Sequence, residues 1–241
     1  MNRQPARVGV LVPSNNVVLE PELYRHLPIG VEAHFARLRV TASGPEHVRQ
    51  MSSESERAVG EMPPGLSVLV YACLSTSLVS PGWEARFGLL AGRSAGLLFT
   101  AASATVTALR ALGAKRIAVV TPYPPTIDAL VPDWLIAHGF EPVAHASMGI
   151  ADIHEVGRRS PAEVARFARS VTANNADALC ILATDLHTLD AIAELERDLA
   201  VPVVTTNQAL LWCCLRAVGN QQHVSGLGAL FSRRMSEDVA P

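Results

Sequence analysis

A pattern that occurs twice along the chain limits the possible folds more than any other feature of this sequence. The segment RVGVLVP at residues 7–13 is matched by RIAVVTP at residues 116–122, 109 residues later. Residue 183 falls on residue 73 at an offset of 110, and LRALG at 109–113 matches LRAVG at 215–219 at an offset of 106. Three matches in the same order predict two lobes of similar structure, because a period of this length is far too long for a solenoid.

Short apolar segments alternate with helical patterns in both halves of the chain. Buried strands are predicted at 7–12, 33–40, 68–71, 97–100, 115–120 and 178–182. Helices are predicted from about residue 20, at 43–60, at 103–112 and at 188–199. Strands that alternate with helices are typical of parallel sheets covered by helices. The predicted fold is therefore α/β, with two pseudo-symmetric lobes, each a short parallel sheet flanked by helices, and an active site in the cleft between them.

The two lobes are expected to exchange a helix. Residues 207–219 are predicted to pack back on the first lobe, and residues 103–112 on the second. The first lobe would then comprise residues 1–100 plus 208–241, and the second lobe residues 101–207.

Composition and charge exclude several classes of protein. With 49% hydrophobic residues among 241, the chain can bury a sizeable core. The net charge is −2 and there is no basic stripe, so nucleic acid is not an expected partner. No apolar run approaches the roughly 18 residues of a membrane span, and the first apolar segment, ended by Pro13, is too short for a signal peptide. The four cysteines have no metal-ligand spacing, which favours a cytoplasmic protein without a metal.

A cysteine follows the third predicted strand. Residues 68–71 form a short apolar run, and Cys73 then opens the small, hydroxylated segment CLSTS. Ligands bind at the carboxyl ends of strands in open α/β sheets, so Cys73 is placed as a nucleophile beside backbone N–H groups that can hold an anion. An activated thiolate there would react with iodoacetamide faster than a free thiol. The alternative is an ordinary buried cysteine, since free cysteine is among the most buried residue types.

Five motifs cover both lobes of the chain. They are GVLVPSNN (9–16), VYACLSTS (70–77), RIAVVTPY (116–123), TDLHTLDAIAELERDL (184–199) and PVVTTNQALLW (202–212). With these motifs the chain resembles the aspartate/glutamate racemase superfamily, and most closely its branch of maleate cis–trans isomerases and arylmalonate decarboxylases. The resemblance implies a two-lobed enzyme that places a cysteine at the end of an equivalent strand in each lobe.

The resemblance also implies roles for individual residues. Cys73 matches the first-lobe cysteine, which in maleate isomerases adds to the alkene of the substrate. Asn16 matches an asparagine beside that nucleophile, and Tyr123 matches a tyrosine that contacts a substrate carboxylate. The amides and hydroxyls that follow the strand ends are expected to bind the carboxylate; in this chain they belong to Leu74, Ser75 and Thr184.

Two of these residues have structural alternatives when they are considered without the resemblance. Asn16 could cap the helix near residue 20, since asparagine is a good capping residue. Tyr123 could be a core aromatic residue with a hydrogen-bonded hydroxyl. A later asparagine of the family would fall near Ile153 or His154, and this chain lacks it.

The chain departs from the family at the second cysteine, where it has Ala183. Cys180 does not replace that thiol, because three residues upstream on a strand is roughly 10 Å away. A two-base racemase is therefore not expected, whereas a nucleophilic or single-acid mechanism is. Asp185 stands where the family has asparagine and is a candidate proton donor, since an apolar cleft raises the pKa of a carboxyl group. The alternative is that Asp185 caps the helix that begins near Thr188.

Taken together, the sequence predicts a cofactor-independent isomerase of a small (di)carboxylate, of the maleate type, with Cys73 as nucleophile and Asp185 as a further catalytic residue. A decarboxylase of a substituted malonate, with Cys73 as proton donor, is the first alternative. A carboxylate-binding protein without activity is the second, because the partner thiol is missing. No Walker or dinucleotide glycine pattern is present, so no cofactor is expected. The expected partners are a small carboxylate substrate and further copies of the chain in a homo-oligomer.

Overall fold

Two parallel sheets of four strands form the framework of the computed structural model, which describes residues 4–40, 45–92, 94–171 and 175–235. The first sheet has the order β2-β1-β3-β4, from β1 (Ala6–Pro13), β2 (Val31–Leu38), β3 (Leu66–Tyr71) and β4 (Ala95–Thr100). The second has the order β6-β5-β7-β8, from β5 (Arg116–Thr121), β6 (Glu141–Ser147), β7 (Ala178–Ile181) and β8 (Val203–Thr205). The identical strand order confirms the duplication that the repeated segments predicted.

Helices connect the strands in both halves. Those of the first half are α1 (Leu19–His26), α2 (Pro45–Gly60), α3 (Leu74–Val79), α4 (Trp83–Ala91) and α5 (Ala101–Ala111). Those of the second half are α6 (Pro125–Asp128), α7 (Val131–Ala137), α8 (Ile153–Val156), α9 (Pro161–Arg169), α10 (Ile192–Leu199) and α11 (Thr206–Ala217), with 3₁₀ turns at Leu189–Ala191 and Ala229–Ser232. None of the helices described here is long and apolar enough to cross a membrane.

The last helix of each half begins and ends in the same way. Thr100 and Thr205 close capping boxes at the starts of α5 and α11, each accepting a hydrogen bond from the backbone three residues later. Gly113 and Gly219 follow the two helices with φ of 72° and 78°, which favours glycine because it lacks a Cβ. These caps explain why LRALG and LRAVG repeat in the sequence.

Helices α5 and α11 pack against each other between the two sheets. Helix α11 contacts β3 and β4 of the first sheet, and α5 contacts β8 of the second, which is the exchange the sequence predicted. Each also contacts the strand that it directly follows, β8 for α11 and β4 for α5. The assignment of residues 1–100 plus 208–241 and 101–207 to separate lobes stays a prediction, and residues 1–3, 41–44, 93, 172–174 and 236–241 lie outside the described part.

Three local expectations need correction or completion. The segment 74–77, expected as a loop, is the first part of helix α3. Strand β6 was not predicted, because it is partly exposed and contains Pro142 and His145. Helix α2 agrees with the prediction from Pro45 onward, while the first two residues of the predicted helix, Ser43 and Gly44, lie outside the described residues.

Candidate active site

The carboxyl ends of the two sheets enclose a cavity of about 80 Å³. Every residue that the sequence assigned to the site lines it: Asn16, Cys73, Leu74, Ser75, Tyr123, Thr184 and Asp185. The predicted cleft between the lobes is therefore present, and residues from both halves of the duplication form its walls.

Cys73 lies between strand β3 and helix α3, at the N-cap position of that helix. Its side chain is 6% exposed, and its Sγ shares a hydrogen bond of 3.3 Å with Ser75 Oγ. The N–H groups of Leu74 and Ser75 lie in the first turn of α3, where backbone donors have no partner within the helix. The thiol thus faces the cavity beside donors that can bind an anion.

Burial raises the pKa of the Cys73 thiol. Hydrogen bonds from the side chains of Ser75 and Thr76 and from the backbone of Thr76 oppose this effect, and the nearby charge of Asp185 adds to it. The resting side chain is therefore a neutral thiol at pH 7. Because iodoacetamide reacts with the thiolate, this raised pKa argues against the fast labelling expected from the sequence, which stays a prediction for experiment.

A chain of buried hydrogen bonds joins the two lobes beside Cys73. Asn16 Nδ2 donates to Thr184 Oγ1 at 3.1 Å, and Thr184 Oγ1 donates to the carbonyl of Ala72 at 3.1 Å. Asn16 Oδ1 accepts from the backbone N–H groups of Val18 and Leu19, each at 3.0 Å. Asn16 thus binds the first N–H groups of α1, whose N-cap position is Val18, and also lines the cleft, so the two interpretations of its role are compatible.

Replacing Thr184 by valine should lower the free energy of unfolding by about 1–3 kcal/mol, because Asn16 Nδ2 and the Ala72 carbonyl would lose their partner in a buried site. Thr184→Ser keeps the hydroxyl and is the matched control, with a much smaller expected loss. Urea unfolding of both variants measures the difference. Equal stability of Thr184→Val and Thr184→Ser would show that this hydrogen-bond chain does not hold the lobes together.

Asp185 lies in the segment that follows Ala183 and is partly accessible from the cavity. Burial among protein atoms raises the pKa of its carboxyl group to about 6. The helical segment after it starts at Leu189, with Thr188 at the N-cap position. The interpretation of Asp185 as the cap of that helix is therefore wrong, and its carboxyl group is left to serve the cavity.

Tyr123 follows strand β5 in a loop that hydrogen bonds hold in place. Its backbone N–H donates to Thr121 Oγ1 at 3.2 Å, and its carbonyl accepts from Ser147 Oγ at 2.5 Å. Burial raises the pKa of its phenol well above the ordinary value, with a smaller contribution from the charge of Asp185. Tyr123 is therefore a neutral hydrogen-bond donor in the cleft, which suits the predicted contact with a carboxylate.

Glu22 is a residue of the site region that the sequence analysis missed. It is 1% exposed on α1, and its Oε1 accepts hydrogen bonds from the N–H groups of Thr188 at 2.9 Å and Leu189 at 3.3 Å. Its Oε2 accepts from Asn207 Nδ2 at 2.8 Å. Glu22 thereby joins α1, which Asn16 caps, to the segment that carries Asp185. Its place in an amphipathic helical pattern gave no sign of this role.

An apolar wall of the cavity, formed by the second half of the chain, was not predicted from the sequence. Its members are Ile127 on α6 and four residues of the segment that follows β6, namely Ile150, Ala151, Ile153 and Val156. The rule that sites form at the carboxyl ends of strands would have indicated this segment if β6 had been recognised.

The structure also places Ala183 and Cys180, the two positions at which a second thiol was considered. Ala183 is buried at the end of β7, where it lines no part of the cavity, and Cys180 is fully buried within β7. Burial raises the pKa of Cys180 far above the usual range, so it does not act as a second thiolate. In the described part of the chain, no three His, Cys, Asp or Glu residues come together as metal ligands would.

Comparisons with known proteins place the chain in a family. The family model described as arylmalonate decarboxylase matches residues 86–231. A maleate isomerase of Nocardia farcinica is 33% identical over 237 residues, which cover 93% of this chain and 94% of that protein. An arylmalonate decarboxylase of Bordetella bronchiseptica is 29% identical over 228 residues, which cover 92% of this chain and 91% of that protein.

A solved structure is also similar over nearly the full length of both chains. It is a cysteine-to-serine variant of Nocardia farcinica maleate cis–trans isomerase with a covalently bound succinylcysteine intermediate. Its TM-score to this chain is 0.85 at 31% sequence identity, over 94% of this chain and 98% of that one. The resemblance drawn from the five motifs is thus confirmed over both halves of the chain.

Proposed function

Because the chain belongs to the arylmalonate decarboxylase family and is similar over nearly its full length to maleate isomerases, we propose that it is a cis–trans isomerase of a small unsaturated carboxylate of the maleate type. The observation that carries the proposal is the position of Cys73, at a strand end in a small cavity beside Asn16, Thr184 and unpaired N–H groups of α3.

The reaction begins when the sulfur of Cys73 adds to the alkene. A carbon–sulfur bond forms at the carbon β to a carboxylate, and the π electrons move onto that carboxylate as an enediolate. The former double bond is then single and rotates. Expulsion of the thiolate breaks the carbon–sulfur bond and restores the alkene in the trans form. No electron acceptor and no net proton change are required, so the proposal needs no cofactor.

The enediolate is stabilised by donors that lie near Cys73. The N–H groups of Leu74 and Ser75 point from the first turn of α3, and Asn16, Thr184 and the neutral phenol of Tyr123 line the same part of the cavity. Donors held in place before the reaction stabilise charge that develops in the transition state without further reorganisation.

Asp185 supplies the proton transfer that a neutral thiol requires. Cys73 holds its proton at rest, whereas Asp185, with a pKa of about 6, is mostly ionised at pH 7. Asp185 therefore accepts the thiol proton as the carbon–sulfur bond forms and returns it after the thiolate leaves. The sequence analysis expected Asp185 to donate a proton. In this mechanism Asp185 first accepts the proton and donates it afterwards.

A decarboxylase of a substituted malonate is the second candidate. The proton that burial keeps on Cys73 favours it, because a decarboxylase needs an acid to protonate the enediolate. The similarity of the chain to maleate isomerases over nearly its full length favours the isomerase instead.

Incubation of the chain with maleate, followed by ¹H NMR, tests the proposal. We expect the maleate signal to decrease as the fumarate signal appears, without added cofactor. In a separate incubation with phenylmalonate, we expect no release of carbon dioxide. Carbon dioxide from phenylmalonate with no fumarate from maleate would instead identify a decarboxylase. The homo-oligomer and the cytoplasmic setting stay predictions for gel filtration and cell fractionation.

A further inference from the structure

Two side-chain hydroxyls hold the backbone of Tyr123, one on each side of its Cα. The N–H of Tyr123 donates to Thr121 Oγ1 at 3.2 Å, and its carbonyl accepts from Ser147 Oγ at 2.5 Å. Pro124 follows Tyr123, and a residue before proline is restricted to extended conformations. The direction of the Cα–Cβ bond, from which the phenol extends, is therefore fixed by the two hydroxyls.

Thr121 is bound in turn to the carboxylate of Asp128. It is fully buried at the end of β5, and its Oγ1 donates to Asp128 Oδ1 at 2.5 Å. A hydroxyl has a single proton, so donation to Asp128 leaves a lone pair of Oγ1 to face the N–H of Tyr123. Bulk water does not reach the Thr121 hydroxyl, so the orientation of its proton depends on Asp128.

The carboxylate of Asp128 is held from two neighbouring elements. Asp128 is the last residue of α6, and its N–H donates to the carbonyl of Pro124 at 2.9 Å, which turns the chain back toward β5. His145 on β6 places its Nε2 2.9 Å from the same Oδ1 atom that accepts from Thr121. Asp128 thus connects β5, α6 and β6, and it lines no part of the cavity itself.

The phenol of Tyr123 lies close to the reacting groups. Burial raises its pKa well above the ordinary value, and the charges that Asp185 and Cys73 carry when ionised raise it further. Such effects decline with distance, so the hydroxyl is near both the proposed base and the proposed nucleophile. A displacement of about 1 Å in a group that must meet the substrate can lower the rate about a hundredfold. The position of the Tyr123 backbone therefore affects the reaction.

Resting on the proposed isomerase activity, we infer that Asp128 is a positioning residue for the reaction. It acts through the Thr121 hydroxyl on the N–H of Tyr123, and so keeps the phenol where it donates to the carboxylate that becomes the enediolate. Tyr123 is the member of this chain of hydrogen bonds that contacts the substrate. Asp128 and Thr121 act only through it.

A double-mutant cycle tests this inference. Asp128→Ala should lower kcat/KM for maleate about tenfold in the wild type and less than about twofold in a Tyr123→Phe background, because the phenol through which it acts is already missing. Asp128→Asn keeps an oxygen that accepts from Thr121 and should restore most of the rate. Asp133→Ala, which removes an exposed acid from α7, should leave kcat/KM unchanged. An equal loss from Asp128→Ala in both backgrounds would indicate a merely structural residue and overturn the inference.

Two measurements that need no turnover separate this inference from the proposed activity. Amide hydrogen exchange at Tyr123 should be about tenfold faster in Asp128→Ala than in the wild type and nearly normal in Asp128→Asn, because the acceptor of this N–H loses its orientation only in the alanine variant. Unchanged exchange in Asp128→Ala would overturn the inference, whether or not maleate is converted. If maleate is not converted, the same cycle is measured as binding of succinate by calorimetry. Coupling of Asp128 to Tyr123 there would support the positioning role and overturn the isomerase, whereas no coupling would overturn both.

Discussion

Replacing Cys73 by alanine should lower kcat/KM by at least about a thousandfold, because the variant has no group that can form the carbon–sulfur bond. The fold should persist. The Cys73 thiol is hydrogen bonded to Ser75 and Thr76, both in the adjacent helix α3, so its removal breaks local contacts and no contact between the lobes. Removing a small buried side chain of this kind costs about 1 kcal/mol, which lowers the melting temperature by about 2–4 °C.

A second buried cysteine provides the matched control. Cys214 lies on α11, is 3% exposed and does not line the cavity. Cys214→Ala should show a similar loss of stability with nearly normal turnover. Mass spectrometry of enzyme quenched during turnover should find the substrate attached to the Cys73 peptide in the Cys214 variant and absent from the Cys73 variant. Near-normal activity of Cys73→Ala would remove Cys73 from the mechanism.

Replacing Asp185 by asparagine should lower the rate about a hundredfold, because the amide keeps the shape of the side chain but neither accepts nor returns a proton. The wild-type rate should rise with pH through about 6, where Asp185 ionises. The variant should lack this rise. Since ionisation of the substrate affects both proteins equally, the ratio of their kcat/KM values between pH 5 and 8 isolates the contribution of Asp185.

The same substitution, which should lower the rate, should raise the free energy of unfolding at neutral pH. Burial raises the pKa of Asp185 from 3.8 to about 6, so between these values the folded chain binds more protons than the unfolded chain. The stability of the wild type therefore falls as pH rises through this window. Asp185→Asn has no charge to bury and should be more stable than the wild type above pH 6, by about 1–3 kcal/mol, with the difference disappearing near pH 4.

A slower and more stable enzyme is a combination that a purely structural residue does not produce. Melting temperatures at pH 7 and pH 4 provide the stability measurement, alongside the rate profile. A variant that is more stable but has an unchanged rate would show that Asp185 is a spectator in the cleft. A variant that is less stable at pH 7 would show that its carboxylate has a structural partner.

The strands in the centres of the sheets could be predicted from the sequence alone. Strands β1, β3, β5 and β7 are covered on both faces, so each requires a continuous apolar run, and such runs are visible in the sequence. A strand at the edge of a sheet does not need a continuous apolar run when it is partly exposed to solvent. Strand β6 at the edge of the second sheet is partly exposed along its length, and its residues show neither a continuous run nor an alternation.

Tertiary contacts decided the structure of the segment after Cys73. The sequence LSTSLV contains serine, threonine and valine, which are weak helix formers, and it suggested a loop. The segment forms helix α3 because Leu74 and Leu78 are buried, and because Thr76 bonds the hydroxyl of buried Tyr71 at 3.2 Å. Packing outweighs propensity here, since the gain from burying two leucines exceeds the few tenths of a kcal/mol at stake in each residue's helix preference.

The sequence by itself determined the duplication, the α/β class and the position of Cys73 at the end of a strand, because these depend on patterns of neighbouring residues that burial imposes. Only the tertiary structure decided that burial raises the pKa of the Cys73 thiol, that Asn16 and Thr184 bridge the lobes, and that Ile150 and Ile153 line the same cavity. Each of these depends on groups that are far apart in the chain. Desolvation and hydrogen bonding across a cleft depend on which side chains are in contact in the fold, and so does the polarity of a cavity wall. Patterns of neighbouring residues in the sequence do not specify these contacts.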